Sequence, residues 1–109
     1  MAVIAKFVYE VKPGRMADFM AKLRQAADPK FNSEIMPKSF RLFHSTVSGP
    51  DTDTVVMLIE YEHAEAYNAR TAYENNNRYW RELFAPSADS PEGLVSLELL
   101  SEFNMDDAI

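Results

Sequence analysis

Residues 2–27 read AVIAKFVYEVKPGRMADFMAKLRQAA, and this stretch decides the fold of the chain. In its first part every second residue is apolar, and the residues between them are partly apolar and partly charged. This alternation predicts a strand from Ala2 to Lys12 with one apolar face. Pro13-Gly14 breaks that strand. From Met16 to Ala27 apolar residues recur at helical spacing. The pattern therefore predicts a strand that leads through a tight turn into an amphipathic helix.

Two further strands follow this helix. Apolar and β-branched residues predict strands over Phe40–Val47 and Thr54–Glu62. Residues 48–53 between them are dense in turn formers, which favours an antiparallel hairpin with a long loop. In the second of these strands, Val55 and Tyr61 mark one face and Val56 marks the other.

The second half of the chain predicts one more helix and one more strand. The helix spans Ala64–Phe84, and we expect a weakened turn, kink or break at Asn75–Asn77, since Asn side chains compete for backbone hydrogen bonds. The last strand spans Leu94–Asn104. Residues 105–109 are expected to form a flexible tail unless a partner holds them.

The order strand, helix, strand, strand, helix, strand predicts an α+β, ferredoxin-like fold. We expect a four-stranded antiparallel sheet with two helices on one face and a single domain over residues 1–109. That arrangement leaves the other sheet face without a cover. On the alternation predicted here, this open face is largely apolar and carries Ile4, Val8, Phe40, Leu42, Val56, Leu58, Leu94 and Leu100. Such a face exceeds an ordinary apolar surface patch, so it predicts a homodimer that packs sheet on sheet.

Composition limits the classes of function. The formal net charge of −6 argues against a nucleic-acid partner, which requires clustered Lys and Arg. The chain has no cysteine, which excludes disulfides and thiolate ligands. No apolar run approaches the ~20 residues that span a bilayer, and no secretion signal is recognisable, so we expect no membrane partner and a cytoplasmic location. No phosphate-binding loop, nucleophile elbow or metal motif occurs, so we predict no cofactor and no metal.

Two short motifs carry a resemblance to a known family. Residues 11–15 (VKPGR) with Phe19, and residues 79–84 (YWRELF), resemble the NIPSNAP-like branch of the dimeric α/β-barrel superfamily. In that branch the first strand ends in a Lys-Pro-Gly-Lys/Arg turn, and the second helix carries a Trp followed by an apolar cluster. The resemblance implies a homodimer whose two sheets face each other and close a barrel. Haem-degrading members use a His on the second helix, and residues 64–84 contain none.

One titratable group lies within a predicted strand and could transfer protons. Histidine as a residue type titrates near neutral pH, and His44 and Glu60 are predicted together on the open face, where Glu60 would orient the imidazole. Lys6, or Arg41 if the register shifts by one residue, would stabilise developing negative charge. The alternative is that His44 is a satisfied interface histidine. His63 beside Glu62 is more typical of a residue at a helix start than of a metal ligand.

Two aromatic residues on the second helix are candidates for contact with a substrate. Tyr73 and Trp80 would form an apolar wall and stack on a planar molecule. The alternative for Trp80 is ordinary core packing. From these residues and the resemblance, we expect a protein that binds a small apolar or aromatic molecule in a cavity between sheet and helices. The other possibility is a cofactor-independent monooxygenase, or a cyclase or isomerase, that acts on an aromatic or polyketide-like substrate. The sequence leaves open whether the chain is an enzyme.

Overall fold

The computed structural model describes residues 1–45, 47, 53–103 and 105–108. Thr46 of the predicted second strand and residues 48–52 of the predicted hairpin loop lie outside the described residues. Short 3₁₀ turns cover Pro29–Phe31 and Met105–Ala108. The main elements are β1 Val3–Val11, α1 Met16–Ala26, β2 Ser39–His44, β3 Asp53–Tyr61, α2 Ala64–Asn76, α3 Arg78–Phe84 and β4 Glu92–Ser101.

The four strands form one antiparallel sheet in the order β2-β3-β1-β4. This is the ferredoxin-like arrangement, since the two strand–helix–strand units interleave and place β1 and β3 at the centre. The predicted fold class is confirmed. In the segment 105–109, the structure describes the 3₁₀ turn over Met105–Ala108, and its flexibility stays a prediction.

The helices lie on one face of the sheet, as predicted. Phe19 of α1 packs against Tyr9 and Val11 of β1, and Ala66 of α2 packs in a second cluster with Ala5 of the same strand. Side chains of odd-numbered β1 residues point to one side, so both helices cover the same face. The predicted apolar face of β1 is therefore the core face.

The Asn run ends the second helix, as predicted. Helix α2 stops at Asn76, and Asn77 takes an extended conformation before α3 begins. The Asn77 Oδ1 accepts a hydrogen bond of 3.1 Å from the backbone N–H of Trp80. Because this bond satisfies a free donor at the first turn of α3, Asn77 acts as its N-terminal cap.

The turn from β1 to α1 depends on a glycine. Gly14 has a φ of +72°, in the left-handed region that side chains with a Cβ adopt at a cost. The backbone N–H of Arg15 then donates to the Lys12 carbonyl over 3.0 Å and closes the turn. The Pro13-Gly14 signal thus sets the direction in which α1 returns over the sheet.

The register of β2 corrects part of the sequence prediction. Phe40 pairs with Ile59 and Leu42 with Met57, so both point to the helix side of the sheet and not to the open face. The prediction was wrong by one residue because apolar side chains occupy both faces of this strand, so alternation alone does not set the register.

Leu94 was also assigned to the wrong face. The pairing between β1 and β4 shifts between Val8 and Tyr9, and it skips Val95. Leu94 therefore pairs with Tyr9 on the helix side, whereas Leu100 pairs with Ile4 on the open side, as predicted. A single unpaired residue reverses the alternation along the rest of the strand.

The open face of the sheet has no cover among the described residues, and the molecule is correspondingly flat, with extents of 46 × 35 × 18 Å. None of the described helices is long and apolar enough to cross a membrane. By strand register, the central rows of the open face hold Ile4, Lys6, Val8, Arg41, Phe43, Val56, Leu58, Glu60, Ser96, Glu98 and Leu100.

Candidate functional site

A cavity of about 320 Å³ lies between the sheet and the helices. Its floor is the core face of β1 and β3, and its walls come from α1, α2, α3 and the segment before β2. The volume falls at the lower end of the range of small-molecule sites, which is roughly 300–1,000 Å³. The residues that line it are Phe7, Tyr9, Leu23, Ala26, Ala27, Met36, Pro37, Phe40, Met57, Ile59, Tyr61, Tyr67, Arg70, Thr71, Glu74, Trp80 and Phe84.

Arg70 is the cation of this cavity, and it is only 3% exposed. Its Nη1 donates hydrogen bonds to the Phe31 carbonyl at 2.7 Å and to Ser33 Oγ at 2.9 Å. Its guanidinium also lies over the rings of Tyr73 and Trp80, with Cζ 4.6 and 5.3 Å from the two centroids. Arg70 therefore ties the segment before β2 to helix α2 and orders one wall of the cavity.

Glu74 is the acidic partner of Arg70, one helical turn away. The Arg70 Nε donates to Glu74 Oε2 over 2.9 Å, and both side chains are largely buried. Burial raises the pKa of the Glu74 carboxyl above its ordinary value, although the hydrogen bond and the positive charge of Arg70 oppose this shift. A carboxyl group with a raised pKa at a cavity wall is a stronger base than an ordinary carboxylate and is a candidate for proton exchange with a bound molecule.

Two tyrosines from the sheet bring phenol groups to the cavity floor. Tyr9 and Tyr61 are 6% and 3% exposed. Burial raises the pKa of each phenol to about 12, and the negative charge of Glu74 adds to the shift in both, as does that of Glu92 for Tyr9. Among the described residues, neither hydroxyl has a hydrogen-bond partner, and both side chains line the cavity. They are donors available to a molecule bound there.

The two aromatic residues predicted on the second helix take different places. Trp80 lines the cavity, with its ring 5.3 Å from that of Phe31 and 4.9 Å from that of Phe84. Tyr73 is not among the lining residues, and it lies behind the wall against Arg70. The Asn77 Nδ2 donates to its hydroxyl over 3.2 Å. Trp80 can contact a ligand directly, whereas Tyr73 supports the wall.

The predicted proton-transfer site is not assembled in this structure. His44 pairs with Val55 and points to the helix side, at the far end of β2 from Ser39, which pairs with Glu60. Its Nε2 lies 3.5 Å from Asp53 Oδ1, and the side chain is 59% exposed. The predicted placement of His44 on the open face is therefore wrong, for the same reason of register as for Phe40. A catalytic role for any of these residues stays a prediction.

The other three predicted residues do share the open face. Lys6 and Arg41 both pair with Leu58 and flank it in one row of the sheet, and Glu60 is two residues further along β3. The Glu60 carboxylate lies 3.6 Å from Lys38 Nζ. These charges lie on the sheet face opposite to the cavity.

His63 occupies the position that the sequence favoured. Its Nδ1 accepts a hydrogen bond of 3.0 Å from the Ala66 backbone N–H, and it caps the start of α2. Across the described part of the chain, no three His, Cys, Asp or Glu side chains are grouped closely enough to hold a metal ion.

Sequence reasoning did not predict that these polar groups meet at one cavity. The signal for Arg70 and Glu74 was present as oppositely charged residues four positions apart on a helix, a spacing that is also common on exposed surfaces. The signal for Tyr9 and Tyr61 was their position on the core faces of the two central strands. A phenol on a core face must find a polar partner or open onto a cavity, and this requirement could have pointed to the site.

Comparisons with known proteins agree on the fold. No protein-family model matches the chain, and no curated protein matches it by sequence. Among solved structures, a candidate antibiotic biosynthesis monooxygenase from Bordetella bronchiseptica is similar at a TM-score of 0.64 and 18% identity, over 94% of this chain and 98% of that one. A dimeric ferredoxin-like protein from an uncultured marine organism has a TM-score of 0.64 and 13% identity, over 91% and 92%.

A third structure bears on the resemblance drawn from the sequence. A NIPSNAP-like domain protein from Burkholderia xenovorans, described as uncharacterised, has a TM-score of 0.62 and 18% identity, over 95% of this chain and 87% of that one. Identities this low show the fold alone. The resemblance predicted from the residue motifs is thus confirmed at the level of structure: this chain has the ferredoxin-like fold that NIPSNAP-like domain proteins and dimeric ferredoxin-like proteins share.

Proposed function

We propose that this chain binds a small apolar or aromatic molecule in the cavity between its sheet and its helices. The observation that carries the proposal is a largely apolar cavity of about 320 Å³ onto whose floor two unpartnered, buried phenols open. A cavity that served only as a packing defect would be lined by apolar groups throughout. A few convergent polar groups in an apolar pocket are instead typical of a ligand site.

Trp80 supports an aromatic ligand. It lines the cavity together with Phe7, Phe40 and Phe84, so rings are available on the floor and on the walls. Aromatic pairs in offset or edge-to-face geometry gain about 0.5–1.5 kcal/mol beyond the burial of their area. A planar molecule would make such contacts from either side.

Filling the cavity tests the proposal. Ala26 lines the cavity at the end of α1, so Ala26→Phe places a ring inside it. Ala21→Phe on the exposed side of the same helix is the matched control. We expect native mass spectrometry to detect a small molecule on the wild type and on Ala21→Phe, either co-purified or added as β-acetylnaphthalene, and to detect none on Ala26→Phe. Equal binding to all three proteins would contradict the proposal.

A second candidate is the cofactor-independent enzyme, and Glu74 is the observation that favours it. The raised pKa of its carboxyl group suits a general base that removes a proton next to a carbonyl, as cyclisation and isomerisation require. The candidate monooxygenase from Bordetella bronchiseptica has the same fold and provides a class of substrates to screen. If turnover is found, Glu74→Gln should remove it while Arg70 stays hydrogen-bonded. Turnover that survives this change would exclude Glu74 as the base.

We also propose that two copies associate through the open sheet faces. The face exposes apolar side chains such as Val8, Val56 and Phe43, with no cover among the described residues. It also carries charges of both signs, so a second copy offers opposite charges to each. The dimeric ferredoxin-like protein of the same fold supports this assembly. Light scattering after size exclusion should give twice the chain mass, and a monomer at micromolar concentration would contradict it.

A further inference from the structure

The charges inside the cavity already cancel. Among the described residues that line it, Arg70 and Glu74 are the charged ones, and they form a direct ion pair of 2.9 Å. The Arg70 Nη1 is engaged with the Phe31 carbonyl and Ser33 Oγ. Nη2 makes no hydrogen bond among the described residues, but Glu74 compensates the charge of the guanidinium, so a ligand carboxylate would bring an unbalanced negative charge into the cavity.

A second cation beside the cavity, Lys22, is also neutralised. Lys22 Nζ lies 2.9 and 3.0 Å from the two carboxylate oxygens of Glu92, and both side chains are about nine-tenths buried. The ammonium group also lies 5.4 Å from the ring centroid of Phe84, which lines the cavity. Glu92 is close enough to Tyr9 to raise the pKa of its phenol. This side of the cavity thus adds no uncompensated positive charge.

The two phenols on the cavity floor are neutral donors. The hydroxyls of Tyr9 and Tyr61 keep their protons at any physiological pH, because the pKa of each is about 12. A protonated phenol donates a hydrogen bond to a carbonyl oxygen, which contributes a modest free energy of binding and requires no charge on the ligand. The Glu74 carboxylate, which acts on both phenols, would repel an anion held in the same place.

We propose that the cavity selects a neutral aromatic carbonyl compound over a carboxylate of the same shape, with the carbonyl oxygen accepting from Tyr9 or Tyr61. This inference rests on the proposed function, since it specifies the chemical class of ligand for that same cavity. It assigns Arg70 to ordering the wall and Glu74 to excluding anions.

A matched pair of probes tests the selection on the unmodified protein. β-Acetylnaphthalene and β-naphthoate share one ring system, and they differ in a methyl ketone against a carboxylate. Isothermal titration at neutral pH should show the ketone binding at least about tenfold more tightly. Equal affinities, or tighter binding of the naphthoate, would overturn the selection while leaving the proposed function standing. If neither probe binds, the proposed function and the selection both fail.

The charge of Glu74 is tested by Glu74→Gln, which keeps the shape and a hydrogen-bond acceptor for Arg70. Without the carboxylate, Arg70 carries an uncompensated charge, so the affinity for β-naphthoate should rise about tenfold and that for the ketone should change by less than about threefold. Glu65→Gln, on an 89% exposed side chain of the same helix, is the control and should change neither. An unchanged naphthoate affinity in Glu74→Gln would contradict anion exclusion by Glu74.

The phenol donors are tested by the double variant Tyr9→Phe with Tyr61→Phe. It should weaken the ketone about tenfold and leave β-ethylnaphthalene, which has no acceptor, within about threefold of the wild type. Equal losses for both probes would show that the rings only pack against the ligand. That result would overturn the assigned hydrogen bond.

Discussion

The two faces of the central strands carry different chemistry, although they alternate along the same residues. On the helix side, β1 and β3 contribute Tyr9, Met57 and Tyr61, and the charged groups come from α2. On the open side, the same strands carry Lys6 and Glu60 themselves. Charges near the cavity are paired within the chain, whereas the apolar rows of the open face have no cover among the described residues. This difference is the basis for proposing a small-molecule site on the first face and contact with another copy on the second.

The largest expected effect concerns the open face. Val56→Asp places a carboxylate in the row of Val8 and Phe43, which holds no charged residue, so the dimer should dissociate completely at micromolar concentration. Light scattering should then give the mass of one chain. Ala21→Asp on the exposed side of α1 is the control and should stay dimeric.

Leu58→Asp sharpens this test, because Leu58 is flanked by Lys6 and Arg41. A carboxylate at position 58 has two cations beside it, so its burial should cost less than that of an Asp at position 56. We expect Leu58→Asp to weaken the dimer less than Val56→Asp. The reverse order would show that the row of Lys6 and Arg41 lies deeper in the interface than the row of Val8.

On the helix side, the largest effect is expected at Arg70. Arg70→Met leaves the Glu74 carboxylate and the Phe31 carbonyl without their partner, which should lower the free energy of unfolding by about 3–5 kcal/mol. Urea denaturation measures this change. The matched control is Arg78→Met, which breaks an exposed Arg–Glu pair of the same spacing and the same length of 2.9 Å. It should cost less than about 1 kcal/mol.

These two faces also show what a sequence can predict. The core face of β1 and the break at Asn77 were predictable, because a single periodic pattern or a single residue type decides each. The register of β2 was not, since Phe40 and Leu42 on one face and Phe43 on the other are equally apolar. The shift at Val95 depends on pairing with β1, which no local pattern in β4 records.

The candidate site was harder to predict than the fold. Arg70 is bound by Phe31, Ser33 and Glu74, so its burial depends on how the irregular segment before β2 folds over α2. A charged residue on a polar helix is normally solvated, so the sequence of α2 alone does not predict that Arg70 is buried. Only the tertiary contact reveals its place at the cavity wall.

Alkaline titration separates the buried phenols from the exposed ones. Tyr9 and Tyr61 have a pKa of about 12 in the folded chain and an ordinary value of 10.0 when unfolded. The folded state therefore binds more protons than the unfolded state between these two pH values. The contribution of the two phenols to the free energy of unfolding is complete below about pH 10 and is lost as the pH rises to about 12. The loss is about 3 kcal/mol for each phenol.

The Phe variants measure that loss. Tyr9→Phe with Tyr61→Phe should unfold at a higher pH than the wild type, because neither position can then ionise. Tyr79→Phe, at a 65% exposed position, should unfold at the wild-type pH. Circular dichroism during base titration distinguishes the two, and identical midpoints for all three proteins would show that the Tyr9 and Tyr61 phenols are solvated.

The smallest expected effect concerns the junction between α2 and α3, which positions Trp80 at the cavity wall. Asn77→Ala removes the acceptor for the Trp80 backbone N–H and the donor to the Tyr73 hydroxyl, so unfolding should become easier by about 1 kcal/mol. Asn75→Ala, at an exposed position two residues earlier within α2, should instead stabilise by up to about 0.5 kcal/mol, since Ala is the better helix former. Thermal denaturation followed by the emission of Trp80, the single tryptophan, reports both changes. If the two Asn→Ala variants change the free energy of unfolding in opposite directions, the break between α2 and α3 is due to the cap at Asn77. If both variants change it in the same direction, the break is due to the low helix propensity of the whole Asn run.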